Sequence, residues 1–320
     1  MLNKNASTLV QAINAKIQAG EFPSERRGCL CGSELQHQVS NVDWLGLTAQ
    51  TVICHSCGLM RLNPRLSKAG YSLFYGSDEY RRLHSGEEFI ADAERRVMQK
   101  QGGQILALLE PYLTHSERLK VLELGCGGGW NLLRFDAQRF ETRGYDLSPG
   151  LVEFGVSKGL DLRLGALEAA ESDYGWADLV ILNHVLEHLN EPADFLRRLR
   201  EKLKPSALVY IGVPNIDNFN TGQLQLAHTY YFSPRTLRYY LQSLGFAVAE
   251  LGPAQNIHMH AILTPGEARI EPQLLRGEYA RLMRIIRNHR LRSRAVRALD
   301  SLGIKGLLKS ALGMNAVKSN

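Results

Sequence analysis

Residues 121–130 read VLELGCGGGW. An apolar run closes on Glu123 and Leu124, and four glycines follow within five residues. Such a stretch is a strand entering a tight turn, where missing Cβ atoms permit positive φ and let a ligand approach the backbone. The flanking pattern sets the kind of sheet. TRGYDL (142–147), LDLRLG (160–165), ADLVILN (177–183) and ALVYIGVP (207–214) read as further strands separated by helical patterns. The clearest helix runs from Pro192 to Leu203, with Pro and Asp in its first turn and Leu196, Leu199 and Leu203 as a stripe. A second, Pro234 to Leu244, is stopped by Gly245 and precedes FAVAEL (246–251) and HMHAILT (258–264), which can pair as strands. Strand-helix alternation of this kind predicts an α/β fold, a Rossmann-like doubly wound parallel sheet.

In such sheets ligands sit beyond the carboxyl ends of the strands. A dinucleotide fingerprint needs G-x-G-x-x-G, but counting from Gly125 places Trp130 where the last glycine belongs. The spacing is instead E-x-G-x-G-x-G. A pyrophosphate would be repelled by Glu123, whereas a ligand with a positive end tolerates that acid. Asp146 closes GYD at the tip of the second strand, seventeen residues past Gly129, where a carboxylate accepts hydrogen bonds from two ribose hydroxyls. The ligand therefore carries ribose and a cation.

Over residues 100 to 265 the chain resembles the class I S-adenosylmethionine-dependent methyltransferases. VLELGCGGG resembles that family's first motif and GYDLS its ribose-binding acid. ADLVILNHVLEHLNEPADFLRRLREKLKPSALVYIGVPN resembles its block from fourth strand to fifth, and AHTYYFSPRTLRYYLQSLGF the stretch near the acceptor in small-molecule members. The resemblance implies that Glu123, Gly125, Gly127 and Gly129 surround the methionine portion of S-adenosylmethionine and that Asp146 holds its ribose. It also implies that Leu147 packs on the adenine, Ala166 and Leu167 edge it, and Asn183 and His184 close the cleft. An acid or amide directly after the third strand, frequent in the family, is missing; LGALEAAE offers only Glu168, two or three positions late.

Methyl transfer to a hydroxyl requires a proton to leave, and histidine suits that task. His228, after the fifth strand, is the first candidate for a base. His184 and His188 flank Glu187 at the mouth of the cleft and would share a face if the segment were helical. H-V-L-E-H differs from the metalloprotease H-E-x-x-H, since the acid adjoins the wrong histidine, so His184 reads as lining the cleft and His188 as fixing the helix. His258 and His260 alternate on a strand and read as structural.

Cys29, Cys31, Cys54 and Cys57 form two turns, each followed by glycine, in a chain without an evident export signal; a metal is favoured over disulfides. Four thiolates suit a structural zinc ion in a ribbon-like unit, although the first pair is C-x-C and His37 or His55 could replace one cysteine. Each glycine is expected to take positive φ and turn its amide toward a thiolate. Zinc-bearing methyltransferases of bacteria have a similar segment before an LNPR-type sequence and an aromatic connector, which RLNPRLSKAGYSLFYGSDEY resembles.

The organisation expected is an N-terminal helix over 1–24 with Leu9, Ile13 and Ile17 in line, the zinc-ribbon-like unit over 25–66, and a helical connector over 67–118. The cofactor-binding domain then spans 119–264 and a basic helical tail 265–320. The net charge of +6 is concentrated in the tail, where twelve Lys/Arg from Arg269 onward face three Asp/Glu. Tyr279, Leu282, Met283 and Ile286 form an apolar stripe there, which reads either as a helix closing over the core with a solvated basic face or, through its arginines, as a contact with an anionic membrane surface or a phosphorylated carrier. Aromatic residues interleaved with the basic ones are scarce, which disfavours nucleic acid. No run of eighteen apolar residues occurs, so a cytoplasmic enzyme, peripheral at most to the inner face of the membrane, is expected. The function expected is methylation of a small-molecule acceptor, a hydroxyl of a sugar or lipid-linked surface-glycan precursor. The alternatives are a macromolecule (RNA or protein) methyltransferase and a non-catalytic S-adenosylmethionine-binding module.

Overall fold

The computed structural model describes residues 4–83, 92–113, 118–254, 258–267 and 269–301. Seven strands form the main sheet: β6 (Leu119–Leu124), β7 (Phe140–Asp146), β8 (Leu162–Leu164), β9 (Leu179–Asn183), β10 (Leu208–Pro214), β12 (Phe246–Pro253) and β13 (His258–Pro265). Their order is β12-β13-β10-β9-β6-β7-β8. The five from β8 to β10 in space run parallel, and β13 inserts antiparallel between β10 and β12. FAVAEL and HMHAILT therefore do pair.

The strands are apolar on both faces, as a sheet covered on both sides requires. Leu122, Leu124, Val180, Leu182, Val209 and Ile211 point into one core. Val121, Leu179, Ile181, Leu208 and Tyr210 point into the other, where Ile105 and Leu109 from α4 (Asp92–Leu109) meet them. On the first side lies α6 (Pro192–Lys202), whose Leu196 and Leu199 are buried, and α7 (Pro234–Ser243), capped by Ser233 accepting from the Thr236 amide. The short α5 (Pro149–Ser157) follows β7.

The N-terminal unit is tied into this domain. α1 (Lys4–Ala19) is shorter than expected and stops at Gly20, whose φ is 76°. Its Val10 and Ile13 pack on Leu66, Tyr71 and Phe74 from β5 (Arg65–Leu66) and α2 (Lys68–Gly76), with α3 (Asp78–Leu83) beyond. The two-residue β1 (Ser24–Glu25) pairs with β5. The cysteine-bearing sheet comprises β2 (Gln36–Val42), β3 (Thr48–Cys54) and β4 (Met60–Leu62), and its fourth strand, β11 (Tyr230–Tyr231), comes from beyond the fifth parallel strand. Arg65 strengthens the junction: its guanidinium donates to Tyr230 Oη at 3.0 Å and pairs with Glu191 at 2.7 Å.

The basic tail begins with α8 (Glu278–Ser301). Its Leu282 and Ile286 are buried against Val39, Ile53, Met60 and Ile216, so the stripe read from sequence faces the cysteine-bearing sheet. The rest of the basic tail, residues 302–320, lies outside the described residues.

Candidate active site

The carboxyl ends of the parallel strands β6, β7, β8 and β9 lie along one edge of the sheet, where the sequence places the cofactor cleft. After β6 the chain turns through Gly125, Gly127 and Gly129 at φ of 66°, 54° and 73°. These glycines do different jobs. Gly125 is exposed and Gly127 half-exposed, so their backbone borders the cleft. A Cβ on Gly129 would lie 2.4 Å from Leu160 Cδ1, so that residue is small to let the turn pack on β8's approach rather than to admit a ligand.

Asp146 fixes the turn from the next strand. Its Oδ2 accepts from the Gly127 amide at 2.8 Å and its Oδ1 from the Ser148 amide at 2.9 Å. A carboxylate has about four acceptor positions, so two remain for a pair of hydroxyls. Leu147, next along, is 72% exposed although apolar, an available face at the cleft's edge. Ala166 is exposed and Leu167 half-buried, while Glu168 is engaged by Lys68 at 2.8 Å.

Glu123 lies beneath the turn, 1% exposed. One oxygen accepts from Asn131 Nδ2 at 2.6 Å, and the other has no partner among the described residues. Burial pushes its pKa up to about 8; the Asn131 hydrogen bond works against that rise and nearby Asp146 adds to it. An orphaned buried carboxylate beside a ribose-competent acid is the donor set that a nucleoside with a cationic amino-acid end fits. Asn131 is a residue that sequence reasoning missed; its position eight residues past Glu123 carries no motif signal.

The segment after β9 departs from expectation. His184 has φ of 58°, unusual for a residue with a side chain, and only Leu186–His188 form a single helical turn. His184 and His188 thus do not share a helix face. His184 turns toward His258, ring centroids 4.4 Å apart, and its Nδ1 lies 3.2 Å from Glu187 Oε1. His188 turns the other way, toward His228 at 4.7 Å, and its Nδ1 pairs with the Ala227 carbonyl at 3.0 Å. Val185 joins this segment to the glycine turn, its Cγ2 lying 2.7 Å from where a Gly125 Cβ would be. Asn183 stands at the end of β9, where Gly212 leaves room for its side chain.

Glu187, His188 and His228 bring one ligand atom each to within 4.8 Å of one another. Burial alone would raise the Glu187 pKa, but the His184 hydrogen bond and the three neighbouring imidazoles hold it down at about 2. His228 is buried and its pKa falls to about 4, so the ring is neutral at physiological pH. His258, which sequence reading set aside, is also lowered to about 4 by burial and His184. Its proximity to His184 follows from the insertion of β13 beside β10, which pairs His258 with Pro214. His260 instead donates from Nε2 to Glu250 Oε1 at 2.9 Å and stacks on Tyr210.

Some distance along the same core, the four cysteines meet. Cys29 and Cys57 Sγ are 3.5 Å apart, Cys31 and Cys54 Sγ 3.6 Å, and all four lie within 4.8 Å. A tetrahedral ion about 2.3 Å from each sulfur spaces them by about 3.8 Å, so the set fits zinc despite the C-x-C bite. Gly32 and Gly58 take φ of 82° and 77° as expected, but their amides bond the carbonyls of Cys29 and Cys54; the Leu59 amide reaches Cys57 Sγ at 3.5 Å. His37 and His55 are not ligands in this arrangement. They pack on Tyr279, His55 stacked at 4.3 Å.

Among the described residues no helix is long and apolar enough to cross a membrane. The profile described as "Methyltransferase domain" matches residues 91–251. A ubiquinone biosynthesis O-methyltransferase of Rickettsia akari is 28% identical over 110 residues, 32% of this chain and 43% of that protein. A probable S-adenosylmethionine-dependent methyltransferase of Mycolicibacterium smegmatis is 28% identical over 135 residues, 41% of this chain and 52% of that protein. The chain thus spans about half the length of the curated relatives it matches. A solved S-adenosylmethionine-dependent methyltransferase from Aquifex aeolicus is 16% identical, with a TM-score of 0.41, over 55% of this chain and 98% of that one.

Proposed function

This chain belongs to the methyltransferase-domain family, of the class I S-adenosylmethionine-dependent kind, and from that premise we propose that it methylates a hydroxyl of a small molecule. The observation that carries this reading is the oxygen of buried Glu123 that has no partner among the described residues, beneath an open glycine turn and one strand from Asp146. Bound S-adenosylmethionine supplies a methyl group already activated by the sulfonium. The protein's part is alignment and exclusion of water. Glu123 faces the cationic methionine end, with the backbone of Gly125 and Gly127 beside it and Gly129 packing the turn behind. Asp146 holds the ribose. Leu147, Ala166 and Leu167 border the adenine, and Asn183 and His184 close the cleft.

His184, His188 and His228 stand on the acceptor side, where they position the acceptor hydroxyl for loss of its proton. We favour a sugar or lipid-linked surface-glycan precursor as acceptor. Arg284, Arg287 and Arg294 on the exposed face of α8 support an anionic acceptor or an anionic membrane surface nearby. The four cysteines hold zinc, which organises the N-terminal unit without entering the chemistry. Transfer of labelled methyl groups into a lysate, fractionated into lipid, small molecules, RNA and protein, tests the acceptor class. Label in the RNA or protein fraction alone would replace this reading with a macromolecular one, and no transfer despite cofactor binding would leave a binding module. Sedimentation with anionic and neutral liposomes checks the α8 contact.

A further inference from the structure

Beyond the end of β9, Glu187, His188 and His228 gather into one cluster whose members come from two segments some forty residues apart. We propose that Glu187, His188 and His228 bind one divalent transition-metal ion, which holds the acceptor oxygen and promotes loss of its proton.

Three observations carry the site. Glu187 is 1% exposed, and its Oε2 has no partner among the described residues. His228 is buried, and its Nδ1 likewise has none. His188 is oriented as metal-binding histidines are: Nδ1–H donates to the Ala227 carbonyl, which leaves the Nε2 lone pair for an ion. His184, in its left-handed backbone conformation, adds a hydrogen bond to the other Glu187 oxygen and so fixes the carboxylate. Ligand atoms about 2.1 Å from one ion lie about 3.4 Å apart in a tetrahedral set. One ligand atom of each residue already lies within 4.8 Å of the others, so closing on an ion takes about 1.4 Å at most. Two imidazoles and one carboxylate favour Zn²⁺, Mn²⁺, Fe²⁺ or Co²⁺ over Mg²⁺, which prefers an all-oxygen shell. Three protein ligands leave positions for the acceptor.

The ion's role rests on the methyl-transfer reading; the ion's binding does not. In that role the acceptor hydroxyl, held at the ion, gives its proton to water. Its oxygen then forms the bond to the methyl carbon, the carbon–sulfur bond breaks, and the electron pair goes to sulfur, leaving a neutral thioether and a methyl ether. No redox change and no further reactant are needed.

The test uses the full chain, loaded with Zn²⁺ or Co²⁺ and dialysed, with metal per chain counted by mass spectrometry. S-adenosylhomocysteine binding is measured separately by calorimetry, so a failed cofactor reading and a failed metal reading register independently. The expected result is one equivalent that disappears in H188A/H228A and whose Co²⁺ spectrum lacks thiolate charge-transfer absorption. Metal content unchanged in that variant would overturn the proposal. Should the variant fail to fold, the wild-type Co²⁺ spectrum decides: an equivalent without thiolate absorption supports the site, and only thiolate-bound cobalt, or none, overturns it.

Discussion

Glu123 and Glu187 are the same residue type, each 1% exposed, each just at or beyond the end of a neighbouring parallel strand. Yet their protons behave oppositely. Glu123 is pushed up to about 8 by burial, with one amide from Asn131 for relief and Asp146 as a second acid. Glu187 meets the same desolvation but is surrounded by His184, His188 and His228, which hold it down at about 2. Burial sets the cost of a charge; the neighbours decide whether that cost is offset. On the proposed reading, the cofactor end at Glu123 awaits a cation, whereas Glu187 at the acceptor end is already flanked by three imidazoles.

The largest effect expected in breaking this comparison is at the acceptor end. His228→Ala should lower turnover by about 10³-fold while S-adenosylhomocysteine affinity, read by calorimetry, stays within about twofold. Loss of cofactor binding in that variant would place His228 on the wrong side of the divide.

Next comes the cysteine site, which supports one end only. Cys54→Ser should lower the melting temperature by about 10 °C and reduce turnover, because β4 carries β11 and with it the segment after His228. Cofactor affinity measured below the transition should survive. A melting temperature that does not move would remove the metal from any structural role.

At the cofactor end, Asp146→Ala should weaken S-adenosylmethionine binding by about 100-fold, since the ribose contacts and the Gly127 anchor are lost together. Retention of affinity would overturn the ribose assignment.

The smallest change sharpens the contrast by pH. The folded-state pKa of Glu123, about 8, is raised above the ordinary value of 4.5. Between those limits the free folded protein holds a proton that the unfolded chain has released, so its contribution to stability falls as pH rises through the window. Cofactor binding favours the carboxylate and releases that proton. Affinity should therefore tighten by roughly tenfold from about pH 6 to pH 9, and Glu123→Gln should flatten the profile. Calorimetry in buffers of different ionisation enthalpy, showing the same proton release in the variant, would assign the effect elsewhere.

Much of the cofactor end was legible because it is local. Glu123, the glycine turn and Asp146 lie within 24 residues, on consecutive strands whose apolar runs and glycine punctuation are written in the chain. The Cys pairs were legible for the same reason, by spacing. The acceptor end was not. His184 and His188 share a helix face on paper, but the left-handed conformation at His184 and the short turn at Leu186–His188 send their rings apart. Asn131 and His258 carried no motif. Their roles come from what tertiary packing sets beside them.

The succession of strands and helices along the chain, the open turn after β6, the acid at the tip of β7 and the two cysteine knuckles were thus decided by the sequence alone. Each depends on backbone freedom or side-chain periodicity over a few residues. The joining of the cysteine sheet to Tyr230–Tyr231, the meeting of His188 with His228 and of His184 with His258, and the opposite charge states of two equally buried glutamates were decided only by the tertiary structure. Those features depend on electrostatic and steric contacts between segments tens of residues apart, which local pattern does not encode.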